Sequence, residues 1–457
     1  MKFVMERFGA DGLLHSDLAM VIVVDIFTAV GCPVSKETAL AIISNCTVKN
    51  KQFSMSLFVQ WVTETFPEAH PSSEALFLEN ERNAEISQNS EIVLGCSDRD
   101  ILLLRRGKVW EFYAVQFEDN PERPPAVDNY PVQTEEEIQF LSCGLNHFAL
   151  LDTSGNIWTK GSSECGALGH GTETYCALPK LVKMNEICVS LSCGKNFTAC
   201  VTENGKLWSF GSNSQGQLGT GHSGEGEGER TPIQAERISN AKHVFCGGSF
   251  TFVICEDTSI YACGYNTYGQ LGLGDYQDRN IFSLVIKKST VISIACGAAH
   301  TLMLLSLGTV CSCGRNYEEQ LGISTAVATE LCFFGHTELR NIQIIACSSF
   351  ASMCIDKDYK VWAFGSNSSG QLGNPGKKLS RMPSSIDSLP DIKYISSGIC
   401  DRFLALGNKS IYLFGRVSVL TPSDDWIHSY TISPPERLPK SVYEGIFNYS
   451  SAKSARK

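Results

Sequence analysis

The side chains best suited to chemistry are nine histidines, nineteen cysteines and a short run alternating glycine with glutamate. Their spacing points away from bond-making catalysis. No histidine stands in a nucleophile-and-base motif. No Cys-x-x-Cys pair occurs, and Cys311 and Cys313 have no histidine beside them, so the ligand set of a zinc site is missing. The glycine-rich turns are not followed by the Gly-Lys-Ser/Thr of a phosphate-binding loop. No catalytic residue, metal or cofactor is therefore expected. Two histidines share a position, since His147 and His300 each stand three residues after the glycine of a Cys-Gly step. A histidine repeated in this way is read first as a hydrogen-bonding strand residue. The acidic run is the loop 221–230, with Glu225, Glu227, Glu229 and Arg230 at its far side.

A repeat positions these residues. Ser-Phe-Gly-Ser-Asn-Ser-Gln-Gly-Gln-Leu-Gly at 209–219 returns as Ala-Cys-Gly-Tyr-Asn-Thr-Tyr-Gly-Gln-Leu-Gly at 262–272 and as Ala-Phe-Gly-Ser-Asn-Ser-Ser-Gly-Gln-Leu-Gly at 363–373. The copy at 312–322 carries Glu319 in place of the central glycine, and partial copies lie near Thr159 and at Phe414-Gly415-Arg416. The leading glycines Gly161, Gly211, Gly264, Gly314, Gly365 and Gly415 are 50, 53, 50, 51 and 50 residues apart. A second marker keeps the same beat: Cys96, Cys143, Cys193, Cys246, Cys296 and Cys347 each close an apolar strand, with Ser397 in the seventh place. Between markers the chain reads as short strands joined by glycine turns, which are hairpin signals.

Short antiparallel strands at a fixed period cannot bury both faces alone, so the units must pack around an axis, and a fifty-residue unit suits a propeller blade. The expected fold is all-β, a seven-bladed β-propeller with a small helical N-terminal segment. Residues 1–70 are read as helical, 71–90 as a linker and 91–450 as the propeller. Tyr113 stands where the first cassette glycine belongs, and the first and last beats lack Gln-Leu-Gly. A strand from one chain end is therefore expected to complete the blade at the other. Residues 443–449 are the candidate, and an open or six-bladed ring is the alternative.

The cassette, the Cys-Gly-x-x-His-Thr step at 296–301 and the fifty-residue period resemble the regulator of chromosome condensation family of seven-bladed propellers, over most of the chain. The resemblance implies the fold and several roles: exchange factors for Ran and other small GTPases, chromatin binders, and interaction domains of ubiquitin ligases, kinases and ciliary proteins. In the exchange factors a wedge from the third blade presses on the GTPase beside its nucleotide, and a histidine from the His147/His300 position faces the GTPase. By resemblance, Glu225, Glu227, Glu229 and Arg230 form the candidate partner-binding loop, its carboxylates competing for the lysine that holds the nucleotide phosphates. His147 and His300 are the candidate GTPase-facing groups. The Gly-Glu alternation departs from the family wedge and is equally the composition of an ordinary surface loop. The expected partner is a protein, Ran or another small GTPase. The alternatives are a scaffold without exchange activity and a chromatin-associated binder.

Bulk properties narrow the choice. The net charge is −10, and the N-terminus lacks a basic cluster. Duplex binding needs several cations to release counter-ions, so nucleic acid is not the expected partner. The longest apolar run, 18–24, is far short of a membrane span, and charges through the first twelve residues leave no room for a signal-peptide core. A cytoplasmic location, extending to the nucleus, is expected. The repeat-locked cysteines read as small core residues in a reducing compartment. Trp110, Trp158, Trp208 and Trp362 share the third-strand position, which blade packing explains better than light sensing. Residues 37–67 have the outline of an EF-hand, yet ligand positions hold Cys46, Val48, Asn50 and Leu57, so calcium is not expected there.

Overall fold

The computed structural model describes residues 13–15, 47–48 and 52–54, and residues 92–437 apart from 99, 116–125, 135, 164, 225, 227, 324–328, 336–338, 375, 377, 408–409 and 421–425. From Ile92 to Arg437 these form seven four-stranded antiparallel blades. Blade 1 consists of Ile92–Cys96, Ile101–Arg105, Lys108–Val115 and Ala126–Pro131. The first strands of blades 2 to 7 are Ile138–Cys143, Cys188–Cys193, Ala241–Cys246, Val291–Cys296, Ile342–Cys347 and Ile392–Ser396. Residues from all seven first strands line a central channel of about 210 Å³.

Position within the blade sets the sequence pattern. A second strand has a neighbouring blade over each face, so Phe197–Thr202 and Phe250–Cys255 are buried at every residue and read as continuous apolar runs. Fourth strands lie at the rim of the ring, and Tyr175–Leu181 is mostly exposed. The apolar core lies in the seams. Phe197, Val201 and Leu207 of blade 3 pack with Val244 and Val253 of blade 4, and Leu302 and Val310 of blade 5 with Ile345 and Cys354 of blade 6. Each blade thus completes its core against the next, as in other repeat architectures.

The ring closes differently from the expectation. Among the described residues every blade is built from four consecutive strands, and none of these is borrowed from the opposite chain end. Blade 7 finishes itself with Trp426–Arg437, paired to Ile411–Leu420. The reason lies in the missing cassettes. Where blades 2 to 6 turn at a cassette, the third strands of blades 1 and 7 continue, to Val115 and Leu420, and their ends pair in parallel at Val419–Ala114 and Leu420–Val115. In blade 3 Gly211, at φ +113°, breaks the register of the third strand against the fourth. Tyr113 makes no such break, and blade 1 runs in unbroken register from Trp110 to Val115. Cys96, Leu94 and Leu103 pack against Cys400, Leu404 and Leu413 to seal the seam.

In the first seventy residues the described part is a small sheet in which Phe53 pairs with Leu14 and with Thr47. The helices expected there, the linker at 71–90 and the strand at 443–449 lie outside the described residues. Among the described residues no helix is long and apolar enough to cross a membrane.

Candidate functional site

The cassette is a turn held by its own side chains. In blade 3 the Asn213 Oδ1 accepts from the Leu218 amide at 3.1 Å, and its amide nitrogen donates to the His222 carbonyl at 3.0 Å. The Gln217 Oε1 accepts from the Gln215 amide. The same bonds recur from Leu271 to Asn266, Leu321 to Asn316 and Leu372 to Asn367. In blade 2 Ser163 substitutes, its hydroxyl accepting from Leu168 at 3.1 Å. The leucine is fully buried and anchors the turn. The central glycine faces the next blade: a Cβ on Gly216, at φ +80°, would stand 2.5 Å from the Cα of Asn280, which lies on the outer strand of blade 4. Glu319 takes the same left-handed conformation, φ +61°, and its carboxylate accepts from Arg381 of blade 6 at 2.8 Å.

Hydroxyls on second strands join the cassettes of blades 2 to 5 to the following blade. Thr198 donates to the Ala167 carbonyl at 2.9 Å, Thr251 to Gln217 at 2.7 Å, Thr301 to Gln270 at 2.8 Å and Ser352 to Gln320 at 2.8 Å. His147 and His300 belong to this seam. They are 1% and 0% exposed, with Nε2 3.0 Å from the Thr198 and Ser352 hydroxyls of the next blade. Each hydroxyl spends its proton on a carbonyl, so the histidine must donate, which fixes a neutral imidazole protonated on Nε2. Burial lowers the His147 pKa to about 4 and that of His300 to about 3, the latter helped by the Arg315 charge. The expectation that these histidines face a GTPase is therefore corrected: they face a neighbouring blade, because a second strand has no solvent side.

Of the acidic loop, Glu225 and Glu227 lie outside the described residues. Glu229 and Arg230 open the outer strand of blade 3, Gly228–Gln234. The Glu229 carboxylate is 3.4 Å from His222 Nε2, and the Arg230 carbonyl accepts from the Gly171 amide at 2.8 Å. That end of the loop is thus stitched to the blade 2 turn. Between blades 1 and 2, Lys160 pairs with the buried Glu111, and Asp100 is pushed up to about 6 by burial and by the Glu111 charge beside it. Cysteines with described side chains are free thiols, and no cluster of three or more metal-ligating side chains occurs among the described residues.

One surface group was not singled out by sequence reasoning. On the cassette rim, Tyr268 meets Tyr265 and Tyr317 edge to face, with centroids 6.0 and 6.2 Å apart. The Arg315 guanidinium lies over Tyr268 and Tyr317 at 5.4 and 5.2 Å and is held by Glu318. Tyr317 is 60% exposed and Tyr276, nearby on the blade 4 turn, 52%. The signal was in the repeat itself. Between the conserved Gly, Asn, Gln and Leu, blades 3 and 6 place Ser212, Ser214, Ser366 and Ser368, whereas blades 4 and 5 place Tyr265, Tyr268, Arg315 and Tyr317.

Fold and rim together define a closed seven-bladed β-propeller with cassette turns gathered on one face. The family model for the RCC1-like domain matches residues 86–400, and the chain belongs to that family. Among curated relatives, human E3 ubiquitin-protein ligase HERC2 is 29% identical over 311 residues, covering 66% of this chain and 5% of the ligase. The RCC1 domain-containing protein RUG3, mitochondrial, of Arabidopsis thaliana is 30% identical over 261 residues, 54% of this chain and 58% of that one. The X-linked retinitis pigmentosa GTPase regulator of Canis lupus familiaris is 32% identical over 134 residues, 28% of this chain and 13% of the regulator. The chain therefore spans less than two thirds of each of these relatives. Among solved structures, human WBSCR16 superposes with a TM-score of 0.60 at 20% identity, covering 71% of this chain and 89% of that one. Prp20p from Saccharomyces cerevisiae, solved with a study of its binding to Gsp1p and histones, gives 0.58 at 18% identity, covering 68% and 81%. These structures establish the fold.

Proposed function

We propose that this propeller works by binding a protein partner on its cassette rim, and that its finer role is to accelerate nucleotide release from a small GTPase such as Ran. The tyrosine and arginine cluster of blades 4 and 5 carries the binding reading. Tyrosine and arginine dominate interface hot spots because they bring large contact area, hydrogen bonding and little entropy loss. The cluster occupies the cassette positions that the turn itself leaves free. Exchange is supported by the likeness to Prp20p, which has been studied for its binding to Gsp1p, and to a relative named a GTPase regulator. Exchange makes and breaks no covalent bond. It requires tighter binding to the nucleotide-free GTPase than to the loaded one. The site of action proposed is the cytoplasm or nucleus.

The test is release of fluorescent GDP from Ran and a panel of other small GTPases, with wild type, a Tyr268→Ala/Tyr317→Ala variant, and a deletion of residues 224–229. Acceleration of one GTPase, reduced at least tenfold by the double variant, supports both parts of the reading. Loss only in the deletion would move the contact to the third-blade loop. No acceleration across the panel would reject exchange and leave the scaffold role, which the ligase relatives favour.

A further inference from the structure

The seam between blades 1 and 7 is unlike the others. Every other pair of neighbouring blades is joined by continuous chain, whereas here the facing residues are 304 apart in sequence. The hydroxyl staple is absent here, with Ile101 of blade 1 at the Thr198 position and no cassette in blade 7, as it is at the neighbouring seams, where Phe148 of blade 2 and Phe403 of blade 7 hold that position. At the seam between blades 1 and 7 two thiols meet. Cys96 Sγ and Cys400 Sγ are 3.6 Å apart, with the residues 0% and 3% exposed. Cys400 owes its place to a longer turn. From the strand-end cysteine to the first seam residue of the second strand is four positions in blades 1 to 6, as in Cys296 to His300, but five from Ser397 to Arg402. Cys400 falls in that longer turn. The approach is close on both sides, since the Cys96 carbonyl leaves no room for a Cβ on Gly398.

We propose that Cys96 and Cys400 form a reversible disulfide that locks the ring, with a small peroxide as oxidant. The sulfurs need close by only about 1.6 Å to reach bonding distance, which side-chain rotation can supply. Leu94, Gly95, Gly398 and Ile399 line the central channel, giving hydrogen peroxide a short path to the pair. Cys400 is the attacking thiol: Cys96, the Arg402 cation and backbone amides hold its pKa down, while Cys96 is pushed up by its hydrogen bond to Cys400 and by burial. Cys400 sulfur attacks one peroxide oxygen, the O–O bond breaks, water leaves and a sulfenic acid forms. Cys96 sulfur then displaces the hydroxyl as a second water, so two thiols and one peroxide give one disulfide and two waters. A thiol reductant reverses the step. Closing a loop of about 300 residues restricts the unfolded chain strongly, so the oxidised ring resists opening at its one discontinuous seam.

The experiment treats the reduced full chain with hydrogen peroxide, alkylates remaining thiols and maps peptides without reduction. The expected result is a linked peptide joining Cys96 to Cys400, two hydrogens lighter than the separate peptides. The melting temperature should rise by roughly a few degrees, an increase reversed by dithiothreitol and absent in C96S and in C400S. Peptide mapping of wild type stands even if the variants fail to fold. Both thiols remaining open to alkylation after unfolding, or Cys400 oxidised to sulfinic acid with no linked peptide, would overturn the proposal.

Discussion

At the scale of single residues, Glu319 and His147 show how far one repeat position tolerates different side chains. Gly216 and Glu319 share the left-handed conformation, but only at Glu319 has the neighbouring blade supplied a partner, Arg381. A non-glycine residue there costs about 1–2 kcal/mol, offset by the ion pair and by glycine's greater freedom when unfolded. Glu319→Gly should therefore change stability by less than about 1 kcal/mol, while Gly216→Glu, with backbone 2.5 Å from its Cβ, should cost more than about 3 kcal/mol in urea unfolding. His147 is neutral in the fold and takes up a proton when unfolded below pH 6.5. Its contribution is complete above pH 6.5 and is lost as the pH falls toward the folded value of about 4, by roughly 3 kcal/mol in all. Asp100, raised to about 6, acts in the opposite sense: its contribution is full below about pH 4 and lost as the pH climbs through 6. Phenylalanine fills the His147 position in blades 3 and 4, as Phe197 and Phe250. His147→Phe should thus flatten the stability profile between pH 6.5 and 4, measured by urea midpoints across that range.

At the scale of elements, the unit of stability is the seam. Thr251→Val removes a 2.7 Å bond to the Gln217 carbonyl and leaves that carbonyl buried, which should cost about 1–2 kcal/mol. Thr198→Val should cost more, because Thr198 both donates to Ala167 and accepts from His147. Equilibrium unfolding of the two single variants gives the ranking, and equal costs would mean that the histidine bond adds nothing. The seam also explains which sequence features are structural. Asn213, Leu218 and Gly216 serve the turn and its neighbour, so their recurrence says nothing about a partner. The positions between them do, and they differ from blade to blade.

At the scale of the molecule, the net charge of −10 and the closed ring set what surface is on offer. The chain should show no retention of duplex DNA at about 0.15 M salt in a mobility-shift assay, because counter-ion release requires a basic face. Retention that weakens steeply with salt would point to a basic patch which composition conceals, and would revive the chromatin reading. The absence of cassettes in blades 1 and 7 has a molecular consequence as well. Their third strands run on and pair with one another, so ring closure and loss of the turn are one feature.

The sequence alone determined the repeat, its beat and the all-β propeller, because a turn that needs positive φ and a buried leucine can be built from few residues and must be rebuilt at every blade. It also showed that no histidine or cysteine carried the spacing of a catalytic or metal site. Tertiary structure decided the rest. Whether His147 looks toward solvent or toward Thr198 depends on the next blade, some fifty residues away. The pairing of Cys96 with Cys400 depends on the two ends of the chain meeting. The Tyr and Arg cluster exists because adjacent blades bring separate cassettes within about 6 Å of each other. Periodicity describes what each unit does alone, and contacts between units arise only when the ring has closed.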